Sequence, residues 1–277
     1  MEIKLAETSG FCFGVINAVE KTKEALSEYE NVYCLGELVN NEQVMAELKT
    51  QGLNIIESIT ETVSNSTVII RAHGVVPEVY KEAQNKNINL IDLTCPKVKS
   101  IHSIVKEYSS LGYFIGITAT KEHPEAIGTK GYAGKNSFII ECEEDVPAFL
   151  NFAKNQKVLL VSQTTFSLDK FNKICKACNS CNPEIKNTIC ASTKIRQEET
   201  QKIAESVDLM IVIGGKKSSN TKKLYEISQK SCKNAIMIET KEELNLNDIK
   251  QYDKIGIVAG ASTPKEIIDE IIEFIQK

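Results

Sequence analysis

Apolar runs of strand length alternate with segments of helical periodicity along the whole of this 277-residue chain. Strands are predicted at residues 3–6, 31–35, 53–56, 68–71, 88–93, 113–118, 137–140, 158–162, 209–213, 235–238 and 255–258. The predicted helices include residues 15–28, 77–86, 98–111, 146–153, 168–177, 195–206, 221–230 and 264–276. This alternation predicts an α/β fold with open, mostly parallel sheets and helices on their faces.

The chain is long enough for two or three small cores and is large for a single one. No low-complexity linker marks a boundary, so the domains have to be placed by spacing. We predict three small α/β domains at residues 1–96, 97–190 and 191–277.

Charge and hydropathy exclude two classes of partner. The formal net charge is only −4 and no Lys/Arg run occurs, which argues against a nucleic-acid surface. The longest apolar runs, such as residues 209–213, are too short to cross a bilayer. The N-terminus lacks the layout of a signal peptide, so we expect a cytoplasmic protein.

Nine cysteines in a cytoplasmic chain are not expected to form disulfides, because that compartment keeps thiols reduced. Three of them stand at strand-to-helix corners: Cys12, Cys95 and Cys190. Thiols on three separate corners can meet only at a centre that three α/β units share. Spacing alone leaves an iron–sulfur cluster, a zinc site and unrelated core thiols about equally favoured. The cysteines at 34, 142 and 232 are interpreted as structural.

Polar loops that follow the predicted strands form a second pattern. They cover residues 71–77, 118–125, 162–167, 214–220 and 259–264. Ligands of open α/β sheets bind at such carboxyl-end loops, and the helix N-termini there favour anions such as phosphate. For any one loop, simple helix capping is the better interpretation. Five loops together with three cysteine corners favour a shared polar pocket.

Two loop histidines add to this pattern. His73 stands before a glycine, and His123 stands two residues before Glu125. A histidine at a helix start can donate to phosphate oxygens, and a nearby glutamate can relay a proton. The alternative is a pair of histidines bonded to backbone. His102 lies inside a predicted helix and is interpreted as structural.

These motifs together resemble the 4-hydroxy-3-methylbut-2-enyl diphosphate reductases of the non-mevalonate isoprenoid pathway. The similarity runs in order through nearly the whole chain, over residues 10–15, 72–75, 92–96, 123–125, 163–165, 190–193, 196–197, 218–220 and 259–264. Each segment is a weak signal by itself, whereas the combination is highly specific.

The resemblance implies three α/β domains around a central [4Fe–4S] cluster held by Cys12, Cys95 and Cys190. A cluster with three cysteine ligands leaves one iron open to the substrate's allylic hydroxyl, which two electrons and two protons remove as water. Isopentenyl and dimethylallyl diphosphates are the products. Glu125 is implied as the proton relay, and Thr164 as the residue that orients the hydroxyl and that carboxylate.

The diphosphate is expected to bind His73, His123, Ser218, Ser219, Asn220 and Ser262. Such neutral donors at helix starts can bind phosphate without an arginine. The implied partners are an electron-donor protein such as a ferredoxin or flavodoxin and the allylic diphosphate itself, and the chain is expected to be a monomer.

Two features depart from the family pattern. Asn40-Asn41 stands where the family usually has histidine followed by asparagine, and both residues are kept as candidate substrate contacts. Asn40 can donate an amide N–H but cannot become cationic. The second departure is the run Cys175, Cys178 and Cys181, interpreted as surface or half-buried thiols in preference to a second metal site.

Two other functions remain open at the level of sequence. The same cluster could serve a non-redox hydro-lyase, which would need no electron donor. The chain could also be a non-catalytic phosphate-ligand-binding α/β protein whose cysteines are core residues.

Overall fold

The computed structural model describes residues 1–63 and 65–277. These residues form two compact units, one made of residues 1–17, 39–50 and 191–277, the other of residues 18–38 and 51–190. No helix in the described part of the chain has the length and apolar character that a membrane crossing requires.

Three sheets of four strands each form the framework, and every strand pairing in them is parallel. The first sheet consists of β2 (Val32–Leu35), β3 (Asn54–Ile56), β4 (Thr67–Ile70) and β5 (Asn89–Asp92). The second consists of β6 (Phe114–Thr118), β7 (Ser137–Ile140), β8 (Val158–Ser162) and β9 (Glu184–Ile185). The third consists of β1 (Glu2–Leu5), β10 (Leu209–Ile213), β11 (Ala235–Ile238) and β12 (Lys254–Ala259). The α/β class and the parallel sheets predicted from sequence are therefore confirmed.

Helices connect the strands, as parallel pairing requires. They are α1 (Phe13–Glu28), α2 (Glu42–Thr50), α3 (Pro77–Asn85), α4 (Pro96–Ser110), α5 (Pro124–Ala133), α6 (Val146–Phe152), α7 (Leu168–Ala177), α8 (Ala191–Ala204), α9 (Ser219–Ser231), α10 (Leu246–Ile249) and α11 (Lys265–Gln276). Short 3₁₀ turns lie at Ile59–Glu61, Glu143–Asp145, Asn179–Cys181 and Lys241–Glu243.

The three sheets share one strand order. It is β3-β2-β4-β5 in the first sheet, β7-β6-β8-β9 in the second and β11-β10-β12-β1 in the third. The C-terminal segment supplies only three strands to its sheet, and the N-terminal strand β1 fills the fourth place by pairing with β12. The predicted boundaries at residues 96 and 190 place β1 in the first domain. In the structure β1 instead pairs with β12, which belongs to the predicted third domain. The domain boundaries otherwise remain a prediction.

Parallel sheets are typically covered by helices on both faces, so their central strands are buried and apolar. β8 and β10 are buried at every residue, which explains the unbroken apolar runs at residues 158–161 and 209–213. The strand β9 was not predicted, because it is only two residues long and lies at a sheet edge. The helices α2 and α10 were not predicted either, since both are short and mostly polar.

The cysteines at 175 and 178 are more buried than the sequence analysis expected. Both belong to the apolar core that packs on β8, and Cys181 packs against the same core. Burial raises the pKa of Cys175 to about 11 and that of Cys178 to about 12. The interpretation as surface thiols is therefore wrong for these two residues, because the apolar face of α7 turns them inward. Cys181 is half-buried, as expected.

Candidate active site

The three corner cysteines occupy the same position in the three sheets. Each follows the fourth strand in the shared order: Cys95 follows β5, Cys190 follows β9 and Cys12 follows β1. Each is also the residue directly before a helix, namely α4, α8 or α1. All three are partly exposed, unlike the buried Cys34 and Cys232.

Equivalent backbone hydrogen bonds hold these cysteines. The N–H of Cys95 donates to the carbonyl of Ala72 at 3.0 Å, and that of Cys190 to Thr164 at 3.0 Å. The N–H of Cys12 donates to the carbonyl of Ala261 at 3.1 Å. In each sheet the acceptor lies in the loop after the third strand, and it is either a predicted site residue or the residue before one. Each corner is thus fixed to a loop that the sequence analysis assigned to the substrate.

A second set of equivalent positions caps the helix that follows the second strand in the shared order, namely β2, β6 or β10. Asn41 Oδ1 accepts the N–H of Val44 at 3.0 Å at the start of α2. His123 Nδ1 accepts the N–H of Glu125 at 3.2 Å in α5, and Ser218 Oγ accepts the N–H of Thr221 at 3.3 Å in α9. His123 and Ser218 therefore cap helices, as the alternative interpretation of their loops expected, and Asn41 caps a helix although no capping role was predicted for it. Capping uses only an acceptor, so the amide, imidazole and hydroxyl donors stay available to a ligand.

Glu125 and Thr164 are joined by two short hydrogen bonds. The Glu125 side chain is buried, with 2% of its surface exposed. Its Oε1 accepts the backbone N–H of Thr164 at 2.6 Å, and its Oε2 accepts the Thr164 hydroxyl at 2.7 Å. Burial raises the pKa of Glu125 to about 7, against the two hydrogen bonds from Thr164, which lower it. A carboxyl with that pKa exchanges its proton near neutral pH.

The two predicted histidines are in contact with each other. Their ring centroids lie 5.2 Å apart in an edge-to-face arrangement. Burial lowers the pKa of His73 to about 3 and that of His123 to about 4. Both rings are therefore neutral at pH 7. His123 must carry its proton on Nε2 because its Nδ1 accepts a hydrogen bond, and the buried Nδ1 of His73 has no partner.

Arg71 is a residue that the sequence analysis missed. It lies two residues before His73, and its positive charge lowers the pKa of both histidines. Gly36, at φ +73°, makes room for it, because a Cβ there would lie 2.3 Å from the Arg71 guanidinium. The two histidines, expected from sequence to act without an arginine, thus have one close to them. Its position at the end of the predicted strand, beside the Ala-His-Gly motif, was the available signal.

Four more predicted substrate residues belong to the first unit, two on loops and two at the start of α9. Ser262 Oγ donates to the backbone carbonyl of Asn40 at 3.2 Å, so these two residues are together. A Cβ on Gly215 would lie 2.2 Å from that same carbonyl, so glycine is required there. Asn220 is buried and its Nδ2 has no partner. Ser219 is half-buried at the start of α9, beside Ser218.

The predicted residues are divided between the two units. The first contains Cys12 and the candidates at 40, 41, 218, 219, 220 and 262, and the second contains Cys95, Cys190 and the candidates at 73, 123, 125 and 164. Among the described residues, no group of three or more His, Cys, Asp or Glu side chains is placed to hold a metal ion. The cluster ligand set and the residue roles remain predictions.

Comparison with known proteins places the chain in a family. A profile described as "LytB protein" matches residues 3–276. The 4-hydroxy-3-methylbut-2-enyl diphosphate reductase of Clostridioides difficile is 39% identical, over 100% of this chain and 99% of its own length. The reductase of the same name from Aquifex aeolicus is 40% identical, over 100% of this chain and 96% of its own length.

Solved structures agree with this. The E-1-hydroxy-2-methyl-but-2-enyl-4-diphosphate reductase of Plasmodium falciparum superposes with a TM-score of 0.95 at 32% identity, over 100% of this chain and 88% of the other. A second structure superposes with a TM-score of 0.71 at 39% identity, over 100% of this chain and 99% of the other. It is described as (E)-4-hydroxy-3-methyl-but-2-enyl diphosphate reductase, the terminal enzyme of the non-mevalonate pathway. With these matches over its whole length, the chain belongs to the LytB family, as the sequence motifs predicted.

Proposed function

We propose that this chain reduces (E)-4-hydroxy-3-methylbut-2-enyl diphosphate to isopentenyl and dimethylallyl diphosphates. The allylic C–O bond breaks, two electrons and two protons are consumed, and the oxygen leaves as water. The observation that carries this proposal is the buried carboxyl of Glu125, which Thr164 holds by two hydrogen bonds and whose pKa lies near 7. The family membership supports it.

We assign Cys12, Cys95 and Cys190 as the ligands of a [4Fe–4S] cluster. They fit the cofactor because all three are partly exposed, stand before helices and occupy equivalent places in three sheets of the same strand order. Three thiolates satisfy three irons and leave the fourth without a protein ligand. When bound, the cluster would supply the electrons and a Lewis-acid iron.

Glu125 and Thr164 deliver a proton. Below its pKa of about 7 the Glu125 carboxyl is neutral and holds a proton. A proton on Oε2 can pass to Oγ1 of Thr164 along their 2.7 Å contact, while the hydroxyl proton passes to the departing oxygen. The amide bond to Oε1 keeps the carboxyl in place throughout. Glu125 thus serves as the acid and Thr164 as the relay that orients it.

The diphosphate is held by neutral donors. Orphaned donors support this assignment, since buried polar atoms normally have a partner and the Nδ2 of Asn220 has none. The Nε2–H of His123, the ring of His73 and the hydroxyls on α9 and on the Ser262 loop are of the right type to meet phosphate oxygens. We assign as diphosphate contacts His73, His123, Ser218, Ser219, Asn220, Ser262, Asn40 and Asn41.

We further propose that the chain acts as a cytoplasmic monomer and takes electrons from a ferredoxin- or flavodoxin-type protein. Two electrons per turnover have to come from outside the chain, because no group in its own sequence supplies them in each cycle. A one-electron carrier protein of this class satisfies that requirement.

The test is an anaerobic assay with the reconstituted full-length chain, the diphosphate substrate and dithionite with methyl viologen. We expect both isoprenoid diphosphates to form only when the reductant is present. Turnover without a reductant would indicate a hydro-lyase. Substrate binding without any product, by a colourless protein, would indicate the non-catalytic alternative.

A further inference from the structure

Residues 7–12, the last six residues between β1 and α1, end on the proposed ligand Cys12 and form the Cys12 loop. It contains Gly10 at φ +98°, a left-handed conformation that glycine adopts without strain. A loop of this kind does not hold one conformation by secondary structure alone. The helix α8 supplies two charged side chains that hold it.

Glu199 binds the start of the Cys12 loop. Its Oε1 accepts the N–H of Glu7 at 2.6 Å, and its Oε2 accepts both the N–H of Thr8 at 3.1 Å and the Thr8 hydroxyl. One half-buried carboxylate therefore satisfies three donors of a single turn. Hydrogen bonds to an ionised acceptor are stronger than those between neutral groups.

Arg196, one helical turn earlier, binds the middle of the loop. It is buried, with 5% of its surface exposed. Its Nη2 donates to the carbonyl of Gly10 at 2.7 Å, and its Nη1 donates to the carbonyl of Ala259 at 3.1 Å. Residues three apart on a helix share a face, so Arg196 and Glu199 reach the same loop from α8.

The loop is also bonded from the strand side. Ser9 Oγ accepts the N–H of Ala259 at 3.1 Å, and the N–H of Cys12 donates to the carbonyl of Ala261 at 3.1 Å. Arg196 and Ser9 thus attach the loop to the same residue at the end of β12. The N–H groups of Cys95 and Cys190 make the same kind of bond to a neighbouring loop, and at the Cys12 corner Arg196 and Glu199 of α8 add their bonds to it.

We infer that Glu199 and Arg196 are positioning residues that preset the Cys12 loop for cluster binding. This inference rests on the proposed function, because it takes Cys12 as a cluster ligand. Neither residue needs to touch the cluster. Groups that orient a metal ligand typically change metal retention about 10- to 100-fold when they are removed.

The experiment compares Glu199→Ala and Glu199→Gln with Glu198→Gln. Glu198 is the neighbouring carboxylate on the same helix, but it is exposed and pairs only at 3.8 Å with Lys194. Each full-length variant is reconstituted anaerobically. We then measure iron and sulfide per chain, the rate at which an iron chelator bleaches the visible absorbance, and the melting temperature of the cluster-free form.

We expect Glu199→Ala to lose its cluster at least about tenfold faster than the parent, Glu199→Gln to lie between them, and Glu198→Gln to match the parent. The melting temperatures of the cluster-free proteins should differ little. If Glu199 were merely structural, the melting temperatures would instead fall in the same order in which the rates of cluster loss rise. Thr8→Val removes only the hydroxyl bond to Glu199 and should give a smaller acceleration in a chain that folds normally.

Normal cluster uptake with the parental rate of loss in Glu199→Ala and Thr8→Val would overturn this inference and leave the proposed function intact. A parent chain that takes up no iron under reconstitution would overturn both. The positioning role would also be overturned if the cluster-free variants melted at lower temperatures in proportion to how much faster they lose the cluster.

Discussion

Glu125 and Thr164 are joined at both carboxylate oxygens, by the backbone N–H at 2.6 Å and by the hydroxyl at 2.7 Å. The two residues follow β6 and β8, which are adjacent in the second sheet although 39 residues separate them in sequence. Sheets of this class bind ligands in the crevice where strand order reverses, and this pair stands there.

Glu125→Gln should keep substrate affinity and lose turnover. The amide has the size of the carboxyl but cannot give up a proton, so the loss should be on the order of 10²–10⁴-fold in kcat. The measurement is kcat and KM in the reductant-driven assay. Glu122→Gln, which changes an exposed carboxylate in the same loop, should have parental kinetics. A parental kcat in Glu125→Gln would remove this residue from its role.

Turnover should fall as pH rises through about 7, because only the neutral form of Glu125 holds a proton. The hydroxyl bond from Thr164 lowers the pKa of Glu125. Thr164→Val deletes this bond and should raise that pKa, so the falling limb of the pH profile should move to higher pH. Its maximum rate should also fall, since the relay is lost. Thr164→Ser keeps the hydroxyl and should keep the limb near 7. An unmoved limb in Thr164→Val would show that another group titrates.

The neutral histidines predict how stability depends on pH. The fold depresses the pKa of His73 to about 3 and that of His123 to about 4, mainly by burial, with the charge of Arg71 adding to it. The contribution of these neutral histidines to the free energy of unfolding is therefore complete above the unfolded-state pKa of about 6.5. It is lost as pH falls toward their folded-state pKa values. His102, whose pKa burial lowers to about 4, acts in the same direction, and Glu125, whose pKa burial raises to about 7, acts in the opposite one. Three histidines outweigh one carboxyl, so urea unfolding should give a lower free energy of unfolding at pH 4.5 than at pH 7.

A variant separates His123 from other acid effects. His123→Asn keeps an acceptor for the N–H of Glu125 but does not titrate, so it should lose less stability between pH 7 and 4.5 than the parent. In ¹⁵N spectra the three histidines should be readily distinguished, with His123 as the Nε2–H tautomer. Equal losses in parent and variant, or the Nδ1–H tautomer, would contradict this account.

Gly215→Ala should raise KM for the diphosphate. The new Cβ would lie 2.2 Å from the carbonyl of Asn40, and a backbone atom cannot move aside as a flexible side chain can. The segment at Asn40 has to shift, which breaks the bond from Ser262, and overpacking of this kind costs about 1–3 kcal/mol. Gly128→Ala, whose Cβ would meet its nearest atom at 3.5 Å, is the control. An unchanged KM would remove the Asn40 loop from substrate binding.

Local pattern was sufficient for the regular elements and for the chemistry of the loops. The buried strand β10 is a continuous apolar run, β8 is one up to its last residue, Ser162, and His123 precedes a helix as its Pro-Glu sequence predicted. The capping roles of Ser218 and Asn41 also follow from residue type. Short or edge elements such as β9 were missed because their stability comes from pairing and not from their own sequence.

Contacts between distant residues could not be derived in this way. Nothing in residues 2–5 indicates that β1 completes the sheet of the C-terminal segment, since that place is decided by which edge of the sheet is left open. Two other contacts likewise join segments that are far apart in the chain. Arg71 packs against Gly36, and Glu199 accepts hydrogen bonds from the Cys12 loop.

By itself, the sequence determined the α/β class, the family and the residue types of the site, because periodicity and short motifs are properties of neighbouring residues. Only the tertiary structure decided that Glu125 is buried against Thr164, that both histidines are neutral and that an arginine lies close to them. The physical reason is that a pKa depends on desolvation and nearby charge, and both are set by packing between segments that the linear order keeps apart.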